Sequence, residues 1–304
     1  MKKILTLCLL LALPLLGMAQ RPTLDREQLL KDVEVLSADA MQGRQSGSEG
    51  SKKAQAYLLK RFRQVGLKPF GESYKQHFRI ESKRLTVEQA TNLVGYIPGS
   101  SEKAIVVTAH YDHVGQRDGQ IYNGADDNAS GVSALLAAAA YFAQHKPTHT
   151  LIFAALDGEE LGLQGAKAFL ENPPVPLQHI LLNVNMDMLS INDKGELYAS
   201  GAHHNPQLKP YLGQVKPLPH AKLVLGHDLP EQGHDDWTAQ SDHYPFHRRG
   251  IPYIYFGVED HPHYHQPTDD YAQVNKTFYP DAAALVLDFI QRMDANAAVL
   301  EMKE

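Results

Sequence analysis

The chain has 304 residues, 43% of them hydrophobic, which is ample for the core of one large α/β domain. Its formal charge of −6 becomes −8 once Lys2 and Lys3 are removed, because 27 basic residues (29 less 2) then face 35 acidic ones, which excludes nucleic acid as a natural partner. The single cysteine, Cys8, belongs to the leader segment, so the mature chain is expected to hold no disulfide, no thiolate nucleophile and no cysteine ligand for zinc.

Lys2 and Lys3, the apolar run from Ile4 to Leu16 and the small-residue pattern Gly17-Met18-Ala19 predict a cleavable signal peptide over 1–19, and with it a secreted or periplasmic protein. The run is shorter than the roughly 20 residues of a spanning helix. No later stretch is long enough either, so no stable membrane insertion is expected after cleavage. Leu7 stands where a lipoprotein signal needs a small residue before Cys8. There is no repeat and no low-complexity linker, and 20–304 reads as a single domain.

Apolar residues at Ala54, Leu58, Phe62 and Val65, stopped by Gly66, predict an amphipathic helix. The alternation from Tyr74 to Ser82 predicts an edge strand. From Ala104 onward, short apolar runs (Ile105 to Thr108, Leu151 to Leu156, Ile180 to Val184, Ile251 to Phe256) predict buried strands. They are separated by helical patterns at Val132 to Phe142 and Leu163 to Leu170, and Phe278 to Met293 closes the chain as a helix. Strands alternating with helices imply a mostly parallel sheet covered on both faces, with ligands bound where loops leave the carboxyl ends of its strands.

Chemistry-bearing residues fall at those ends. His110 and Asp112 leave the first strand two positions apart, on the same side. Gly124-Ala125-Asp126-Asp127-Asn128-Ala129-Ser130-Gly131 precedes a helix; it mimics half a calcium loop, but Ala137 stands where the bidentate glutamate is required. Asp157-Gly158-Glu159-Glu160 and Asp187 follow two further strands, and His261, His263 and His265 crowd a late loop. Taken singly, each has an ordinary structural explanation: a strand-end histidine, a capping turn, a surface acid pair, a histidine cluster. Their arrival in one order at successive strand ends does not. Two imidazoles and three carboxylates suit a pair of zinc ions.

These motifs resemble those of the M28 family of zinc peptidases, which includes aminopeptidases with paired zinc ions. The resemblance covers nearly the whole mature chain and is strongest from His110 to Asp187. It implies a three-layer α/β/α fold of the zinc-exopeptidase type, with a mostly parallel mixed central sheet. It also implies two Zn2+ ions: His110 and Asp187 on one, Glu160 and His265 on the other, and Asp127 as the bridge. By the same resemblance Asp112 hydrogen-bonds the far nitrogen of His110, Glu159 is the general base and Tyr264 is a hydrogen-bond donor to the oxyanion. The expected activity is removal of N-terminal residues from peptides with a free N-terminus. A zinc-dependent glutaminyl cyclase is the alternative; such enzymes typically place tryptophan beside the last ligand, where this chain has Tyr264. A non-catalytic binding protein on the same scaffold would be expected to have lost a ligand or the base. Ser241-Asp242-His243-Tyr244-Pro245-Phe246 also matches the family, without an assigned role. No helical His-Glu-x-x-His motif or nucleophile elbow is present, which leaves water as the expected nucleophile.

Overall fold

The computed structural model describes residues 22–83 and 85–300; the expected signal peptide, 1–19, lies outside them. In chain order the strands are β1 (Lys68–Pro69), β2 (Lys75–Glu81), β3 (Thr86–Ile97), β4 (Ser101–His110), β5 (Gly115–Arg117), β6 (Gln120–Tyr122), β7 (His149–Leu156), β8 (Ile180–Met186), β9 (Glu196–Ser200), β10 (Lys222–Leu225) and β11 (Tyr253–Gly257). The helices are α1 (Arg26–Leu36), α2 (Glu49–Val65), α3 (Gly131–Gln144), α4 (Gln164–Glu171), α5 (Lys209–Leu212), α6 (His243–Arg248) and α7 (Phe278–Asn296).

Among the described residues, nine strands form one sheet in the order β1-β3-β7-β4-β8-β11-β9-β10, with β2 also paired to β3. Its centre, β7-β4-β8-β11, is parallel. The β3 flank is antiparallel to β7, and β9 is antiparallel to β11. The strands expected from apolar runs are this parallel centre, and β2 is an edge strand with alternating exposure.

Both faces of the sheet are covered. Along β4, Ile105, Val107 and Ala109 enter one core, and Ala104 and Val106 enter the other. Strand periodicity sends alternate side chains to opposite faces, so a run buried on both sides reads as continuous apolar sequence. The larger core packs Leu29 and Val33 of α1, Leu58 and Phe62 of α2, Leu135 of α3 and Phe289 of α7; the smaller packs Phe169 of α4 against Phe246 of α6. The result is a three-layer α/β/α architecture. Helix α2 starts on the Ser48 hydroxyl, which accepts from the Ser51 amide, and ends at Gly66 in the left-handed region. No helix among the described residues is long and apolar enough to cross a membrane.

Candidate metal centre

Because β4, β7 and β8 are parallel neighbours, their carboxyl ends open on one edge of the sheet, and the loops leaving them meet there. His110 is the last residue of β4 and 1% exposed. Its Nδ1 lies 3.1 Å from the backbone oxygen of Asp112, which only accepts, so Nδ1 carries the hydrogen and Nε2 presents a lone pair. That lone pair faces Asp187 Oδ1 at 3.1 Å and Asp127 Oδ1 at 3.4 Å. Such a set of facing electron pairs is stable only with a proton or a metal ion between them. In the protein alone, Asp187 and Asp112 raise the His110 pKa well above its ordinary value although burial lowers it.

Asp127 divides its carboxylate between two groups. While Oδ1 faces His110, Oδ2 lies 3.0 Å from His265 Nε2 and 3.5 Å from His113 Nδ1. Glu160 Oε1 completes this second group, 3.2 Å from His265 Nε2 and 2.9 Å from His113 Nδ1. The donor atoms of His110, Asp127 and Asp187, and those of His113, Asp127, Glu160 and His265, each converge closely enough for one ion. All five ligands expected from the sequence are therefore brought together, with Asp127 common to both groups. Burial raises the Glu160 pKa, but the imidazoles of His113 and His265 outweigh it and hold the carboxylate well below its usual range.

The turn carrying Asp127 is fixed from three sides. Asp269 accepts from the Asp126 and Asp127 amides at 2.9 and 3.1 Å. Asn128 Oδ1 accepts from Gly131 and Met188 amides, and its amide group donates to the Met186 carbonyl, tying the turn to the end of β8. Asp126 faces away: it accepts from the Ser190 amide and hydroxyl and pairs with His261 at 2.9 Å. His263 contacts the Thr268 hydroxyl. Of the three late histidines, His265 alone reaches the metal groups. It holds left-handed backbone at φ 52°, which costs a non-glycine residue about 1–3 kcal/mol.

Asp112 differs from its expected part. Its carbonyl, not its carboxylate, meets His110; the carboxylate is 3.7 Å from Nδ1 and accepts instead from the Glu159 and Glu160 amides at 3.1 and 3.3 Å. It thereby sets the backbone of both glutamates. Glu159 lines the cleft with His110, Asp127, Asp187, Tyr264 and Trp237. Burial pushes its pKa well above the ordinary value; His110 opposes this, and Asp187, Asp242 and Glu160 reinforce it. Tyr264 stacks on His265 with ring centroids 4.1 Å apart, and its hydroxyl pKa is raised by burial and by the surrounding acids.

The Ser241-Asp242-His243 segment, without a role in the sequence, gains one. Ser241 Oγ donates to Asp187 Oδ2 at 2.7 Å and accepts from the Asn185 amide group. Asn185 in turn accepts from Thr108, completing a buried polar chain through the sheet. Asp242 is fully buried, and burial, with Asp112 and Asp187 nearby, pushes its pKa up to about 7.

Two residues were missed by sequence reasoning. Arg44 is completely buried and donates to the carbonyls of Leu36, Tyr111, Asn123 and Gly124 at 2.6–2.9 Å, placing a cation beneath the acids; desolvation lowers its pKa to about 10. Nothing in its local sequence marks it. His113 has a visible signal, a second histidine three residues after His110, but strand periodicity lapses once β4 ends.

The donor set fits two divalent cations: imidazole and carboxylate ligands, with the negative charges of Asp127, Glu160 and Asp187 to be neutralised.

Comparison with known proteins agrees with this geometry. Residues 92–290 match the model of peptidase family M28. The aminopeptidase YwaD of Bacillus subtilis is 28% identical over 219 residues, which is 68% of this chain and 45% of that protein; the chain spans about half the length of the curated relatives it matches. Among solved structures, a zinc aminopeptidase from B. subtilis superposes with a TM-score of 0.71 at 17% identity, covering 89% of this chain and 96% of that one. A Bacteroides thetaiotaomicron glutaminyl cyclase bound to N-acetylhistamine gives 0.72 at 18%, covering 90% and 99%. These structural likenesses establish a shared fold, which serves both activities. The match over residues 92–290, read with the two ligand groups, places this chain in peptidase family M28.

Proposed function

We propose that the chain is a secreted two-zinc metallo-exopeptidase, an aminopeptidase that hydrolyses the N-terminal peptide bond of peptides. The observation that carries the reading is the Asp127 carboxylate, whose two oxygens serve two ligand groups in a cleft that Glu159 also lines. His110, Asp127 and Asp187 would hold one ion, and Asp127, Glu160 and His265 the other. Bound there, divalent zinc supplies Lewis-acid activation of water and of the scissile carbonyl.

The chain's own residues do the rest. Glu159 lines the cleft together with His110, Asp127, Asp187 and His265, a position that suits a group that accepts the water proton and returns it to the leaving amine. Asp112 fixes the backbone from which Glu159 projects, and Tyr264 offers a hydroxyl donor to the developing oxyanion. A glutaminyl cyclase is the second reading. It gains support from Trp237, the chain's only tryptophan, which lines the same cleft.

The test offers the mature protein amino-acid anilides and N-terminal glutaminyl peptides, with and without chelator. Zinc-dependent release of aniline supports the peptidase; cyclisation without amide hydrolysis replaces it with the cyclase. Glu159→Gln is expected to lower kcat by about 10²–10⁴-fold while leaving metal content unchanged. Unchanged kcat removes Glu159 from the chemistry.

A further inference from the structure

The two ligand groups are unequal. The group of His110, Asp127 and Asp187 has three members, and the group of His113, Asp127, Glu160 and His265 has four. The additional member is His113, whose side chain is wholly buried.

Neither ring nitrogen of His113 has a hydrogen-bond partner, and neither has Glu160 Oε1, although Nδ1 and Oε1 are only 2.9 Å apart. The separation suits a hydrogen bond and the orientation does not. Both residues belong, with Asp127 and His265, to a group whose donor atoms all lie within 4.8 Å of one another, close enough to hold one ion. An orphaned imidazole in a protein interior is costly. The backbone has made room for this one: at Gly124, with φ +57°, an added Cβ would lie 2.6 Å from His113 Cγ and Cδ2. A glycine is thus required beside the ring.

We propose that His113 is a fourth protein ligand, through Nδ1, of the ion held by Asp127, Glu160 and His265. The inference rests on the two-metal reading above and adds an asymmetry to it. Four protein ligands close a tetrahedral zinc site, whereas three leave a position open. The four-residue group is then the tighter, retentive position, and the group of His110, Asp127 and Asp187 keeps room for reacting species.

The test is metal binding, separate from catalysis. Stripped wild-type protein is titrated with Zn2+ against a chromophoric chelator, beside His113→Ala and Asp187→Asn. Two sites are expected, with His113→Ala weakening the tighter by at least about 10-fold and Asp187→Asn weakening the other. Because His113→Ala opens a buried void, the wild type is also labelled with nitrogen-15 in its histidine rings and loaded with cadmium-113. Three ring nitrogens split by coupling to the metal support the proposal. Two split nitrogens, or unaltered affinities in a folded His113→Ala protein, overturn it. Wild-type protein that takes up no metal overturns instead the two-metal reading on which it rests.

Discussion

Asp187 shows how much of this site depends on residues outside the two candidate metal groups. It lies at the end of β8, its Oδ1 directed at His110, and the Ser241 hydroxyl holds Oδ2 at 2.7 Å. Removing that donor leaves the carboxylate free to turn, and loss of such a support typically costs 10–100-fold in metal affinity. Ser241→Ala is therefore expected to weaken one of two metal affinities by roughly 10–100-fold and spare the other, measured by competition with a chelator. Equal affinities in both proteins would show that Ser241 only fills space. His243, two positions on, is buried: its Nε2 donates to the Trp237 carbonyl and its ring stacks on Tyr253. Burial, the chief cause, lowers its pKa from 6.5 to about 4. Between those values the unfolded chain binds a proton that the native state does not, so stability is fully present above pH 6.5 and is lost as pH falls toward 4. The loss is on the order of 3 kcal/mol. Urea midpoints of metal-free wild type should fall across this window more steeply than those of His243→Gln, and parallel profiles would contradict the assignment.

Elements were legible in the sequence where their periodicity was simple. Strands β4, β7, β8 and β11 are buried on both faces and read as apolar runs, and α2 and α7 show helical spacing closed by Gly66 and opened near Pro280. The proposed ligands attached directly to strand ends, His110 and Asp187, were legible for the same reason. The choice of Asp127 over Asp126, and of His265 over His261 and His263, came from family resemblance, because loop geometry has no period to read. His113 and the carbonyl contact of Asp112 escaped for that reason too. The join between the Asp127 turn and α3 is one such irregular junction. A Cβ on Gly131 would lie 2.3 Å from Asn128 Oδ1 and 2.4 Å from the Met186 carbonyl, forcing the turn off β8. Overpacking of this kind costs about 1–3 kcal/mol. Gly131→Ala should lower Tm and weaken metal binding together, while Gly213→Ala, where an added Cβ would meet the Lys209 and Pro210 carbonyls at an ordinary 3.4 and 3.8 Å, changes neither. Calorimetry with and without zinc decides between these outcomes.

The whole molecule explains why the candidate ligands meet. A parallel centre makes β4, β7 and β8 point one way, so residues 110, 159–160 and 187, distant in sequence, emerge on one edge, and the loop beyond β11 brings His265 to them. Among the described residues, the antiparallel flanks extend the sheet without supplying a candidate ligand. Arg44 and the acids form one buried electrostatic unit, which divalent cations would complete. Zinc content per chain, followed by elemental analysis as activity is restored to chelator-stripped protein, tests this account most directly. Activity should rise to a plateau at two zinc ions per chain. A plateau at one equivalent, or full activity in metal-free protein, would contradict the paired-metal centre.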